Sequence, residues 1–251
     1  MGANEPPERE PLEREPPEHD SPECDSPQRD SLERQIRFVL EADLLKTVAR
    51  QSRLTDGSRQ ENSAEHSWHL ALMALALGGH APAGTDLARV MAMLVVHDLV
   101  EVDAGDLFLY SDSAAQARQE AAERAAADRI FALLPVPQAG AVRALWDEFE
   151  ERRTPEARFA RALDRLQPML LNMQTGGGTW VVHDVPLDQV LSKVELIEEG
   201  SPTLGGYARA MIAQAVERGF LRAAPARPQD GNDKPDRGDI DRHGGGIRLG
   251  P

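Results

Sequence analysis

The sequence has one cysteine, Cys24, among 251 residues. That excludes an internal disulfide and fits a reducing, cytoplasmic location. Aromatic residues are scarce, at 4% of the chain, and Ala and Leu outnumber the β-branched residues that suit strands, so helix is favoured over sheet. Basic charge is also short. Lys and Arg number 28 against 42 Asp and Glu, a formal net charge of −14. Such a surface argues against binding a nucleic-acid polymer, which needs basic patches to displace counterions. It argues equally against docking on anionic lipid. A small anionic substrate is compatible with this charge, because a bound cation reverses the local field. No apolar run reaches the ~18 residues of a membrane span. The Pro- and Glu-rich N-terminus lacks the apolar core of a signal peptide.

The acidity is unevenly spread. Met1 to Arg34 carry eleven acids and four bases, half of the net charge. Residues 1–31 have almost no large apolar side chains, so burial cannot offset their ordering entropy, and they read as a disordered acidic tail. Residues 223–251, with Pro225, Pro228, Pro235 and the run Gly244-Gly245-Gly246, read the same way. The folded unit expected is a single domain over 32–222.

Within it the apolar period is helical. Ile36, Leu40, Leu44 and Val48 mark a first helix. Ala64 to Leu77 forms a second, nearly all apolar, and Leu87 to Val102 a third. Ser113 to Leu134 and Val142 to Glu151 follow. Thr154-Pro155-Glu156 combines a cap, a first-turn proline and an acid near the dipole, and starts a helix running through Asp164 to about residue 172. Gly176-Gly177-Gly178 breaks the chain, and two helices from Leu187 and Ser201-Pro202 close the domain. Trp180-Val181-Val182 is the one strand-like fragment, too short to found a sheet. With His183 it forms either a lid or a structural loop. The expected fold is all-α, helix packed on helix.

Three features carry chemistry. The densest is His97-Asp98-Leu99-Val100-Glu101, directly after the apolar stretch Met91 to Val96. Charged groups against a buried helix are costly unless paired or bound to a cation. His97, Asp98 and Glu101 lie within about one turn and can border one cavity. Imidazole and carboxylate together suit a divalent metal. Gly105 ends the helix and turns Asp106 back toward the cluster. The alternative is a helix end with solvated acids and a capped histidine. The second feature is His66, one turn into a helix capped by Asn62 or Ser63. It reads as a ligand or as a satisfied core histidine. The third is Asp164, within a helix, a ligand or a surface acid paired with Arg161 or Arg165.

The order of a histidine, a His-Asp pair and a distant helix aspartate resembles the HD-domain superfamily. Arg59-Gln60-Glu61-Asn62-Ser63-Ala64-Glu65-His66-Ser67 and His97-Asp98-Leu99-Val100-Glu101 with Gly105-Asp106 resemble its 5′-deoxynucleotidase-like branch. The likeness spans residues 32–222 and implies an HD-domain helical bundle. It implies His66, His97, Asp98 and Asp164 as ligands of one divalent cation such as Mn²⁺, Co²⁺ or Mg²⁺. Glu101 is then the acid/base, or with Asp106 a ligand of a second ion. Arg50 or Arg59 would hold substrate phosphate by bidentate hydrogen bonds, with Lys46 a weaker candidate. The chain departs from the branch at Gln51, where characterised members place an aromatic that stacks on the base.

The activity implied is hydrolysis of a nucleoside 5′-monophosphate to nucleoside and phosphate. The alternatives are another phosphate ester, a phosphodiester, or a non-catalytic metal- or nucleotide-binding module. The implied partner is a small phosphorylated substrate. Related proteins are often dimers, so a homodimer is compatible, although no apolar helix face evident in the sequence demands one.

Overall fold

The computed structural model describes residues 26–222; both expected tails, but for the last few residues of the first, lie outside the described residues. The architecture is helical: α1 (Ser26–Asp43), α2 (Ser63–Leu77), α3 (Leu87–Val96), α4 (Glu101–Ala104), α5 (Ser113–Phe131), α6 (Val136–Glu151), α7 (Pro155–Gln174), α8 (Gly178–Val182), α9 (Leu187–Gly200) and α10 (Pro202–Glu217). Among the described residues no helix is long and apolar enough to cross a membrane.

The central element is α7. Thr154 caps it by accepting from the Ala157 N–H, and Pro155 fills the first turn. Its apolar face buries Phe159, Ala160, Leu163, Leu166 and Met169 against α2, α3, α9 and α10. A second, smaller core gathers Leu45, Leu99, Val100, Ile130, Phe131 and Trp146 between α5, α6 and the turn after α3. The functional residues lie where these two cores meet. Helix α9 ends at Gly200 on the back of α7, where a Cβ would collide with the Arg158 carbonyl oxygen and the Ala162 methyl. Gly200→Ala should therefore destabilise the fold by roughly 1–3 kcal/mol, the usual range for overpacking. A denaturant midpoint equal to wild type would show that α9 can shift freely.

Several expectations require correction. The first helix stops at Asp43, and a 3₁₀ turn, Leu44–Thr47, follows. Its face of Leu32, Ile36, Val39 and Leu40 is exposed, as are Trp68, Leu72 and Leu75 on α2. Exposed apolar helix faces therefore exist. A period of four identifies an apolar stripe but not whether another element covers it. Arg34, on the inward side of α1, donates instead to the Ala132, Leu133 and Leu134 carbonyls that end α5. Trp180-Val181-Val182 is not extended but part of α8, with Trp180 buried and donating to the Tyr110 hydroxyl. The strands lie elsewhere. β1 (Ala49–Arg53) pairs antiparallel with β2 (Gln60–Asn62). β1 reads Ala-Arg-Gln-Ser-Arg and has no apolar alternation to mark it as a strand.

Candidate metal centre and active site

Three elements deliver the polar cluster. Asn62 caps α2 through a capping box with Glu65, and His66 projects inward one turn later. Helix α3 tightens at its end into a 3₁₀ turn, His97–Val100, which carries both His97 and Asp98 into the interior. Asp164 sits midway along α7 and is buried, not a surface acid.

These residues converge. His66 Nε2 lies 3.2 Å from Asp164 Oδ1 and 3.9 Å from Asp98 Oδ2. His97 Nε2 lies 3.0 Å from Asp98 Oδ1 and 4.0 Å from Asp164 Oδ1. Ligand atoms of His66, His97 and Asp164 all fall within 4.8 Å of one another. The His97 Nδ1 is 2.9 Å from the Leu94 carbonyl. A carbonyl only accepts, so Nδ1 carries a proton, which leaves Nε2 as the nitrogen available to a metal. That Nε2 is buried with no hydrogen-bond partner. Two imidazole nitrogens and the Asp164 carboxylate around one point, with Asp98 beside them, suit a divalent first-row cation.

Glu61 was part of the motif stretch, but nothing in the sequence assigned it a role. The hairpin buries it behind His66, with its Oε2 3.6 Å from His66 Nδ1 and its Oε1 accepting from Gln167 Nε2 at 2.7 Å. At that separation the two atoms make no hydrogen bond, yet both are buried without a hydrogen-bond partner, so Glu61 is the one carboxylate facing the Nδ1 side of His66 among the described contacts. Glu61→Ala should weaken metal binding about 10–100-fold, as loss of such an outer partner does. Competition against a chelator measures it, and unchanged affinity would remove Glu61 from the assembly.

Glu101 faces the cavity beside the centre and accepts from the Ser63 hydroxyl at 2.6 Å. Burial, then the Asp98 charge, pushes its carboxyl well above the usual range, while Arg50 pulls it back. Gly105, at φ +73°, makes the reversal that brings Asp106 to the same cavity. Burial first, then Asp98, also raises Asp106.

Arg50, on β1, reaches Asp98 at 2.8 Å, Asp106 at 3.5 Å and Glu101 at 3.7 Å. Burial opposes its charge, but these carboxylates outweigh it and hold the guanidinium protonated more firmly than usual. Arg59 is not brought to the cavity. It is exposed and binds Glu65 at 2.5 and 2.8 Å. Lys46 is likewise exposed and pairs with Asp43. The whole arrangement opens into a cavity of about 270 Å³ lined by Arg50, Asp98, Glu101, Asp106, Phe108 and Tyr110 among others. His183 stands outside it, packed on Phe108 with ring centroids 4.3 Å apart.

The HD domain family matches residues 42–205. The chain is 26% identical over 140 residues to the 5′-deoxynucleotidase HDDC2 of Danio rerio, across 55% of this chain and 68% of that protein. To the 5′-deoxynucleotidase HDDC2 of Xenopus laevis it is 30% identical over 112 residues, across 45% of this chain and about half, 54%, of the relative. Among solved structures, one described as a predicted metal-dependent phosphohydrolase from Magnetospirillum magnetotacticum MS-1 superposes with a TM-score of 0.75. It is 50% identical and the match covers 78% of this chain and 98% of that one. With His66, His97 and Asp164 grouped, Asp98 beside them, and this family match over most of the fold, the chain belongs to the HD-domain family of metal-dependent phosphohydrolases.

Proposed function

We propose that this protein hydrolyses nucleoside 5′-monophosphates, deoxynucleotides in particular, to nucleoside and inorganic phosphate. The observation that carries the reading is the convergence of His66, His97, Asp98 and Asp164 with Glu101 alongside. The relatives named as 5′-deoxynucleotidases support the substrate class.

A divalent cation held by the four ligands would make water a better nucleophile and offset phosphate charge. The protein's own groups do the rest. Glu101 accepts the proton of the attacking water as the new P–O bond forms, and returns a proton to the departing 5′-oxygen as the ester P–O bond breaks. A carboxyl raised well above the usual range by burial takes up a proton more readily than an exposed one and then holds it for return, which suits both halves of that exchange. Ser63 fixes its orientation. Arg50 and Asp106 border the same space, Arg50 as a cation near the phosphate oxygens. Phe108 and Tyr110, with ring centroids 5.4 Å apart, supply aromatic surface to a site that has Gln51 beside Arg50. A cytoplasmic location belongs to the same proposal, and so does a homodimer, consistent with the exposed apolar faces of α1 and α2.

The test is phosphate release from a panel of ribo- and deoxynucleoside 5′-monophosphates with Mn²⁺, Co²⁺ or Mg²⁺, with and without chelator. Release from at least one deoxynucleotide, abolished by chelator, is expected. No release from any nucleotide with any of the metals would overturn the reading. Light scattering in solution decides the dimer.

A further inference from the structure

The cavity has a second wall of opposite charge. Arg161 and Arg165 stand four residues apart on α7, Lys193 faces them from α9, and Arg152 sits at the turn between α6 and α7. Among the described residues, Arg161 and Lys193 have no hydrogen-bond or ion-pair partner within their side chains' reach, and the Nε atoms of Arg161 and Arg165 are buried without one. Arg165 meets only Asp164, at 3.4 Å, and Arg152 meets Glu150, at 3.5 Å. Within ion-pair distance the four cations meet two carboxylates, one of them Asp164; Glu120 and Glu123 line the same cavity, and burial raises Glu123 to about 7, which weakens it as a counter-charge.

Burial, then the neighbouring Arg165, brings Arg161 down to about 9. Burial, then Arg165, Arg161 and Arg152, lowers Lys193 as well. Crowded, partly desolvated cations of this kind are costly until an anion joins them. Guanidinium forks bind phosphate oxygens in pairs, so the wall suits phosphate.

The metal centre does not use up this charge. Asp98 and the carboxylates around the centre, Glu61, Glu101 and Asp106, already face Arg50. Phe149 packs on the His97 imidazole, centroids 4.9 Å apart, and on the Arg161 guanidinium, 5.7 Å from its centroid. The aromatic ring thereby stands between Arg161 and His97. A phosphate at the centre can meet Arg165, next to Asp164, and leaves Arg161 and Lys193 unanswered.

We propose that Arg161, Arg165 and Lys193 form a second anion subsite, which holds a second phosphate of the substrate. The preferred substrate then carries a phosphate beyond the one cleaved, as a nucleoside 3′,5′-bisphosphate does. The inference rests on the phosphohydrolase reading of the metal centre and narrows its substrate class.

The test uses the Mn²⁺-loaded full chain, with Arg161→Gln and Lys193→Gln as separate variants and Arg165 left intact beside Asp164. Calorimetric titration with inorganic phosphate should show a second bound phosphate per chain in wild type and its loss in each variant, with metal content retained. KM for a nucleoside 3′,5′-bisphosphate should lie about tenfold or more below that for the 5′-monophosphate, as charge-assisted hydrogen bonds produce, and the ratio should fall toward one in either variant. A single phosphate per wild-type chain, or equal KM values, overturns the subsite even if monophosphates are hydrolysed. Two bound phosphates without hydrolysis of any nucleotide would uphold the subsite and sink the nucleotidase reading instead.

Discussion

Replacing His66 with alanine should empty the proposed metal centre. The imidazole is fully buried, and its Nε2 is the group that lies between the two aspartates, 3.2 Å from Asp164 and 3.9 Å from Asp98. The next inward α2 positions, Leu70 and Met73, are apolar core and offer no nitrogen or oxygen ligand atom. Removing the imidazole leaves His97 with two carboxylates and opens a hole beside Glu61. The loss of metal affinity should exceed the roughly 10–100-fold that follows loss of an outer-shell partner, and phosphate release should fall with it. Metal analysis after dialysis, with helical content as a control for folding, measures the effect. A variant that retains stoichiometric metal would dissolve the centre as described.

Glu101→Gln separates chemistry from binding. The amide keeps the volume of the carboxyl and can still accept from Ser63, so the cavity and the four ligands stay in place. It cannot take a proton at neutral pH. Turnover should drop roughly 10²–10⁴-fold, the usual contribution of a positioned acid/base, with metal content unchanged. Since Glu101 is not among the four converging ligands, metal loss in this variant would reassign it as a ligand. Full activity would remove it from the mechanism altogether.

The contrast between these two residues shows what was legible in the chain. The helix that carries Asp164 announced itself through Thr154, Pro155 and a regular apolar face, because caps and period are local properties of sequence. A cap at Asn62 or Ser63 was legible for the same reason, and the structure uses Asn62. The His97-Asp98 pair stood out because charge directly after an apolar stretch demands a partner. Glu61 sent no such signal. It lies in a three-residue strand, and only its pairing with the strand of Arg50 places it behind His66. Arg59, two residues before it, looked equally suited to phosphate, yet it faces solvent and Glu65. Alternation along so short a hairpin decides which side chain enters the cavity, and the sequence carries no apolar pattern to reveal the register.

Arg161 and Arg165 illustrate the same limit from the opposite side. As neighbours of Asp164 on one helix they read as its surface partners. In the fold α9 and α6 pack on that helix, so Arg161 is buried without an ion pair among the described residues and Lys193 is brought beside it. On α1 the reverse happened: a stripe that read as core is exposed, because no described element packs on it.

By itself the sequence determined the helical architecture, its caps and breaks, and the residue types able to hold a cation, since these depend on spacing along one chain. Tertiary structure alone decided which of those residues share a cavity and which charges lose their water. His66 and Asp164 are 98 residues apart, and their approach depends on how α2 and α7 dock through their apolar faces, a property of whole surfaces and not of any local pattern.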